Sequence, residues 1–134
     1  MKFLFAFLLV GWFGMQSAAA QPSVEIENVI SQQLEAFKKR DVAKAFEFAS
    51  PLIKRVFRNS DNFGMMVARG YPMVWDSSEV RFLELRDLGA IQMQKVLMLG
   101  PDGVPHVIEY KLIETSRGWE IDGVELLAPP EVGA

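Results

Sequence analysis

The sequence predicts an α+β fold in which helices pack inside a curved antiparallel sheet. Two observations carry this prediction. Apolar residues recur at helical spacing through the first half of the chain, and residues from Val80 onward read as strands separated by turn signals. A run of helices followed by a run of strands is typical of the α+β class. The chain has 134 residues, of which 50% are hydrophobic, so it is long enough to bury one core.

Residues 1–20 have the pattern of a cleavable export signal. Lys2 is followed by an apolar run over residues 3–15 and by small residues that end at Ala20. The run is shorter than the about 20 apolar residues that span a bilayer, and an A-x-A site is typical of signal cleavage. We therefore predict cleavage between Ala20 and Gln21, a periplasmic or secreted location, and no stable membrane span after cleavage. Residues 21–134 are predicted to form a single domain.

Charge and cysteine content exclude several classes of protein. The chain has 14 Lys and Arg against 17 Asp and Glu, a net charge of -3, and its longest run of adjacent basic residues is 38–40. A nucleic-acid surface needs clustered basic residues, so we predict no nucleic-acid partner. There is no cysteine, so the exported domain must be stable without disulfides.

The first half of the chain predicts four helices, each preceded by a capping residue. Side chains of this type accept hydrogen bonds from first-turn amides, and they stand at Ser23, Asp41, Ser50 and Ser60. The first helix should end near Arg40 and bury one apolar stripe: Ile26, Val29, Ile30, Leu34 and Phe37. The third should have an apolar side formed by Leu52, Ile53, Val56 and Phe57, and Gly70 suits the end of the fourth.

The second half predicts four strands after a proline-containing junction. Pro72 disfavours helical geometry in the residue before it, and the segment that follows is expected to be extended. Strands are predicted over residues 80–88, 91–99, 104–114 and 119–127, with a strong turn signal at residues 101–103. The apolar phase of the last strand slips by one residue at Asp122 and Gly123, which indicates a bulge that bends the sheet.

Three segments resemble known proteins. The stretch FKKRDVAKAFEFASP, with the predicted helices and bent meander, resembles the nuclear transport factor 2-like (cystatin-like) superfamily. The longer ISQQLEAFKKRDVAKAFEFASP, with FGMMVARGYPMVW and GWEIDGVELL, is similar to one bacterial family, domain of unknown function 4864. GYPMVW is its most specific part. The resemblance implies a cone-shaped fold over nearly all of residues 21–134 and no established activity.

No motif points to catalysis, a metal or a cofactor. His106 is the only histidine and there is no cysteine, whereas zinc and copper sites draw on several such ligands. His106 follows a turn and is expected to be exposed. The sequence has no G-x-S-x-G elbow and no glycine-rich phosphate loop. We therefore predict no metal, no cofactor and no assigned catalytic residue.

The candidate pocket lies inside the cone. Tyr71 and Trp75 flank the junction where the mouth of the cone is expected, and they either line a ligand site or close the core. Met66 would give an adaptable apolar lining. On the third strand Glu109 and Tyr110 point to opposite faces, and the pattern leaves open whether Glu109 faces inward or is an ordinary surface charge.

Three functions remain open. The first, which we favour, is a non-catalytic exported module that binds a small apolar ligand or a protein partner. The second is an isomerase or cyclase with an acid–base group in the cone, for which Glu109 with Tyr71 or Tyr110 is the only available set. The third is a structural homodimer formed through the outer face of the sheet. Fold alone does not choose between them.

Overall fold

The computed structural model describes residues 22–127, in which five helices precede four strands. The predicted export signal and the segment after Leu127 lie outside these residues. The helices are α1 (Pro22–Lys38), α2 (Val42–Glu47), α3 (Pro51–Phe57), α4 (Ser60–Gly70) and α5 (Pro72–Trp75). The strands are β1 (Glu79–Asp87), β2 (Ile91–Leu99), β3 (Pro105–Thr115) and β4 (Gly118–Leu127).

Polar side chains begin the short helices close to where the sequence predicts them. The side chains of Asp41 and Ser50 accept hydrogen bonds from backbone amides three residues later, at 3.1 Å and 3.3 Å. α4 differs by one residue, because Asn59 is its cap and Ser60 is its first helical residue. These bonds satisfy amides that have no partner within the helix.

The junction after α4 is helical rather than extended, so the prediction of an extended segment is wrong. The backbone leaves helical geometry at Tyr71 and then enters the single-turn helix α5 with Pro72 at its start. Proline restricts the residue before it, but its own φ suits the first position of a helix, where no amide is needed. Tyr71 is therefore a break between two helices.

The four strands form an antiparallel meander in the order β1-β2-β3-β4, as predicted. Pairing between β3 and β4 shifts by one residue at Asp122, which confirms the predicted bulge. A second shift lies in β1 between Phe82 and Leu85. That shift explains why the adjacent Phe82 and Leu83 gave no clear alternation. Bulges of this kind bend a sheet and increase its twist.

One face of the sheet packs against the helices and forms the core. On β2 and β3 the buried inward side chains alternate with outward ones: Val96 and Met98 on β2, and Ile108, Tyr110 and Leu112 on β3. α1 covers this face with Ile26, Ile30 and Phe37, which are all fully buried. The predicted α1 stripe therefore faces the sheet.

Close packing between α2 and α4 depends on Gly64. A β-carbon at this position would lie 2.5 Å from Cγ1 of Val42, so any larger residue would force the two helices apart. α3 packs more loosely. It has no buried residue, and of its predicted apolar side only Ile53 and Phe57 are half-buried, while Leu52 and Val56 are exposed.

Replacing Phe37 with Ala is expected to lower the free energy of unfolding by about 3–5 kcal/mol. The ring of Phe37 has no exposed surface, and its centroid lies 5.8 Å from the centroids of both Phe63 and Trp75. Chemical denaturation measures the loss, with Leu88→Ala, at a residue 60% exposed, as the matched control. A loss below about 1 kcal/mol would show that the α1 stripe does not hold the core.

Candidate functional site

An apolar cavity of about 260 Å³ lies between the helices and the bent edge strand β4. Its wall is drawn from α1, α3, α4, α5 and β4 and includes no residue of β1, β2 or β3. The lining residues are Gln33, Phe37, Ala49, Ile53, Phe57, Phe63, Met66, Val67, Tyr71, Val74, Ile121, Gly123 and Val124. None of them carries a formal charge.

The lining contains two polar side chains, Gln33 and Tyr71. Gln33 is buried, with 3% of its surface exposed, and its Nε2 donates to the backbone oxygen of Ala45 at 3.1 Å. Its Oε1 accepts no hydrogen bond from residues 22–127. Gln33 Oε1 is not one of the fully buried polar atoms without a partner, so it is open to a donor in the cavity.

Met66 and Tyr71 are the two predicted pocket residues that the structure brings together in this lining. Both are half-buried. Met66 comes from α4, and Tyr71 stands at the break between α4 and α5, so the helix end places its ring at the wall of the cavity.

Trp75 closes the core instead of lining the cavity. One part of its ring packs on Phe37, and the guanidinium carbon of Arg40 lies 4.5 Å from its centroid. Arg40 also donates from Nη1 to the backbone oxygen of Trp75 at 2.8 Å. A cation over an indole ring is a favourable contact. The sequence left open whether Trp75 lines a ligand site or closes the core, and its position favours closing the core.

Tyr110 lies on the inner face of the sheet but does not line the cavity. It is fully buried, and its hydroxyl has no hydrogen-bond partner among the described residues. Burial raises the pKa of the Tyr110 phenol well above its ordinary value, because the phenolate would lose its solvation.

Glu109 points to the opposite face of the sheet from the cavity. Its side chain is nevertheless buried, and Oε1 lies 3.2 Å from Nη2 of Arg86. The set proposed for an enzyme, Glu109 with Tyr71 or Tyr110, is therefore not assembled, because adjacent residues of a strand point to opposite faces. Glu109 could serve as an acid–base group in the cone only if its face of β3 pointed inward, and in the structure this face points outward.

The described residues hold no group of three or more side chains arranged to bind a metal ion. His106 is half-buried on β3 rather than exposed as expected. None of the helices within residues 22–127 is long and apolar enough to cross a membrane.

A larger depression of about 660 Å³ lies between α1 and the β3–β4 turn. It is more open than the cavity, and charged side chains such as Glu25, Glu47 and Arg117 contribute to its lining. Ligand sites are mostly apolar and enclosed, so the smaller cavity is the stronger candidate.

Sequence reasoning missed Gln33, although a signal was present. Gln33 lies seven residues after Ile26 and four before Phe37, so it belongs to the buried stripe of α1. A polar residue on such a stripe indicates a buried hydrogen bond or a ligand contact. Ala49, Val74 and the β4 residues of the lining gave no such signal, because only the tertiary fold brings them to one cavity.

Comparison with known proteins identifies the fold. The family model described as Domain of unknown function (DUF4864) matches residues 19–134. No curated protein matches the sequence.

Two solved structures share the architecture. An NTF2-like protein of unknown function from Shewanella oneidensis is 16% identical, with a TM-score of 0.54, and the match covers 79% of this chain and 98% of that one. A Campylobacter jejuni protein provisionally named an NTF2-like transpeptidase is 14% identical, with a TM-score of 0.51, and the match covers 77% and 99% of the two chains. At these identities the likeness shows a nuclear transport factor 2-like fold and nothing about activity.

Alkaline pH is expected to destabilise the fold through Tyr110. Above about pH 10 the unfolded chain releases the phenolic proton, while the folded chain retains it because the Tyr110 pKa is raised. The contribution of Tyr110 is therefore constant below about pH 10, and above it stability falls by about 1.4 kcal/mol per pH unit.

Denaturation of the parent and of Tyr110→Phe across this range measures the difference. The variant should keep its stability at neutral pH, since it loses a hydroxyl without a partner, and should lack this part of the alkaline loss. Tyr71 and Tyr110 are the two tyrosines of the chain, so Tyr71→Phe isolates the Tyr110 absorbance. Tyrosinate absorbance in folded Tyr71→Phe near pH 10 would contradict the assignment.

Proposed function

The chain belongs to the family described as Domain of unknown function (DUF4864), and on that premise we propose that it is an exported, non-catalytic module that binds a small neutral apolar molecule. The observation that carries the proposal is the 260 Å³ cavity, whose lining has no charged side chain. Apolar lining with a few polar groups is the usual composition of a small-molecule site.

The size of the cavity limits the ligand. A dry apolar cavity of about 150 Å³ accommodates benzene, so 260 Å³ corresponds to a ligand on the order of ten non-hydrogen atoms. Burying an ion without a partner is costly, and the lining offers no countercharge. The ligand is therefore neutral, and Gln33 Oε1 and the Tyr71 hydroxyl are the groups that would orient a single polar substituent.

The lining argues against the enzymatic alternatives. An isomerase or cyclase needs a base in the cavity, and no carboxylate or imidazole lies there. The lining also has no serine, threonine, cysteine or lysine to act as a nucleophile. The transpeptidase name of the Campylobacter jejuni protein is therefore not extended to this chain.

Naphthol should bind and raise the melting temperature, whereas naphthoate, which has a similar ring and a charge, should not. Ala49 is 1% exposed and lines the cavity, so Ala49→Leu fills part of it. We expect Ala49→Leu to weaken naphthol binding at least about tenfold, or about 1.4 kcal/mol. Isothermal titration calorimetry measures the affinity.

Ala43→Leu is the matched control, because Ala43 is exposed on α2 and lies outside the lining. Its affinity should equal that of the parent. Equal binding by Ala49→Leu, or equal affinity for naphthol and naphthoate, would refute a neutral ligand in this cavity.

A homodimer through the outer sheet face is a second candidate, favoured by Glu109. This carboxylate is 6% exposed on a face that no described helix covers, and its Oε2 has no hydrogen-bond partner within residues 22–127. Buried polar atoms rarely lack a partner. A cation from a second copy of the chain would supply one after modest rearrangement of the face.

The two halves of the outer face differ in their balance of charge. On β1 and β2 this face has three cations, Arg81, Arg86 and Lys95, and two acids, Glu79 and Glu84. On β3 and β4 it has the acids Glu109 and Glu125 and one cation, Lys111. A two-fold axis parallel to the strands sets the β1–β2 half of one copy against the β3–β4 half of the other. Halves with an excess of opposite charge then face each other, whereas an axis across the strands would set each half against its own copy.

Charge reversal tests this arrangement. Arg81→Glu and Glu125→Arg should each weaken the dimer at least about tenfold, because like charges meet across the interface, and the double variant should recover it. Analytical ultracentrifugation measures association, with Glu35→Arg on α1 as the control. A parent chain that stays monomeric at every concentration would eliminate this candidate.

A further inference from the structure

α3 presents apolar side chains on two sides at once. Residues four apart share one face of a helix. Ile53 and Phe57 face the cavity, whereas Leu52 and Val56 turn to solvent with 48% and 62% of their surfaces exposed. No residue of this seven-residue helix is buried. α3 is therefore apolar on the side that lines the cavity and also on the side that faces solvent.

The charge of this segment is opposite to that of the chain. α3 with its two caps, residues 50–58, contains three cations and no acid, although the chain has a net charge of -3 and the nearest acids along it are Glu47 and Asp61. Lys54 is held at the sheet edge, where its Nζ lies 3.9 Å from Glu120. Arg55 and Arg58 are exposed, and neither forms a salt bridge with another described residue.

We infer that α3 docks on an anionic phospholipid surface, with Leu52 and Val56 in the interface and Arg55 and Arg58 on the head groups. Exposed aliphatic side chains beside cations are the composition by which amphipathic helices bind anionic bilayers. Two aliphatic side chains on so short a helix make a small contact, well below the area of a stable protein interface and without aromatic anchors. A lipid surface is therefore the better occupant, and the binding is weak and reversible.

Docking would bring the cavity wall to the bilayer, because Ile53 and Phe57 stand on the same helix as Leu52 and Val56. Small apolar molecules concentrate in bilayers. Docking could therefore let a small apolar molecule pass between the bilayer and the cavity. This exchange role rests on the proposed function, whereas the docking itself does not.

Vesicle flotation with the chain that begins at Gln21 tests the docking. Vesicles of phosphatidylcholine with phosphatidylglycerol should bind the protein, binding should fall as salt rises, and pure phosphatidylcholine should bind little. Arg55→Gln combined with Arg58→Asn should weaken binding about thirtyfold. Asn is used because Arg58 has a φ of 71°, which Asn tolerates. Leu52→Gln with Val56→Gln should abolish flotation, because no aliphatic side chain of α3 would then enter the bilayer interface.

Matched pairs elsewhere on the surface serve as controls. Lys38→Gln with Arg69→Gln removes the same charge, and Leu88→Gln with Val104→Gln removes two exposed aliphatic side chains. Both pairs should float like the parent. No flotation of the parent, or equal loss in the control pairs, would overturn the inference. Naphthol affinity without vesicles separates the two proposals, because the α3 surface variants should keep it whether or not docking occurs.

Discussion

The burial of Phe37 where α1, α4 and α5 meet is the contact on which the rest of the structure depends. Its ring is fully buried, packs on Phe63 and Trp75, and forms part of the cavity wall. One side chain therefore ties the longest helix to the helices that enclose the cavity. Arg40, at the end of α1, covers Trp75 from outside and holds this junction closed.

The two faces of the sheet carry different kinds of side chain. Adjacent residues of β3 are assigned to opposite sides, so Tyr110 joins the core while Glu109 joins the outer surface with Arg86. This alternation leaves the interior without a carboxylate in its lining and gives the outer face its charges. Binding in the interior and association through the outer face are therefore compatible functions, since they use different residues.

α3 packs loosely over the cavity. Ile53 and Phe57 are half-buried and no other residue of α3 contributes to the core, so little apolar surface holds this wall in place. Segments with few buried contacts open at low free-energy cost. A ligand that fills the cavity would add contacts to this loosely packed wall, and it would stabilise the folded chain because it binds that state and not the unfolded one.

The sequence by itself determined the fold class, the strand bounds to within about one residue, the caps of α2 and α3, and the bulge at Asp122. These features follow from local rules: side-chain periodicity, capping chemistry and the apolar phase of one strand. Met66 and Tyr71 were also identified as possible lining residues, because an adaptable apolar residue and an aromatic at a helix end are local features. The GYPMVW segment further identified the family.

Tertiary structure decided what periodicity leaves ambiguous. Both faces of β3 mix polar and apolar residues, so only the position of α1 shows that Tyr110 is inside and Glu109 outside. Trp75 and Tyr71 flank the same proline, yet the single turn of α5 sends the Trp75 ring to the core and leaves Tyr71 at the cavity. The cavity is made of residues from five elements far apart in the chain, and no local pattern specifies the space that remains between them.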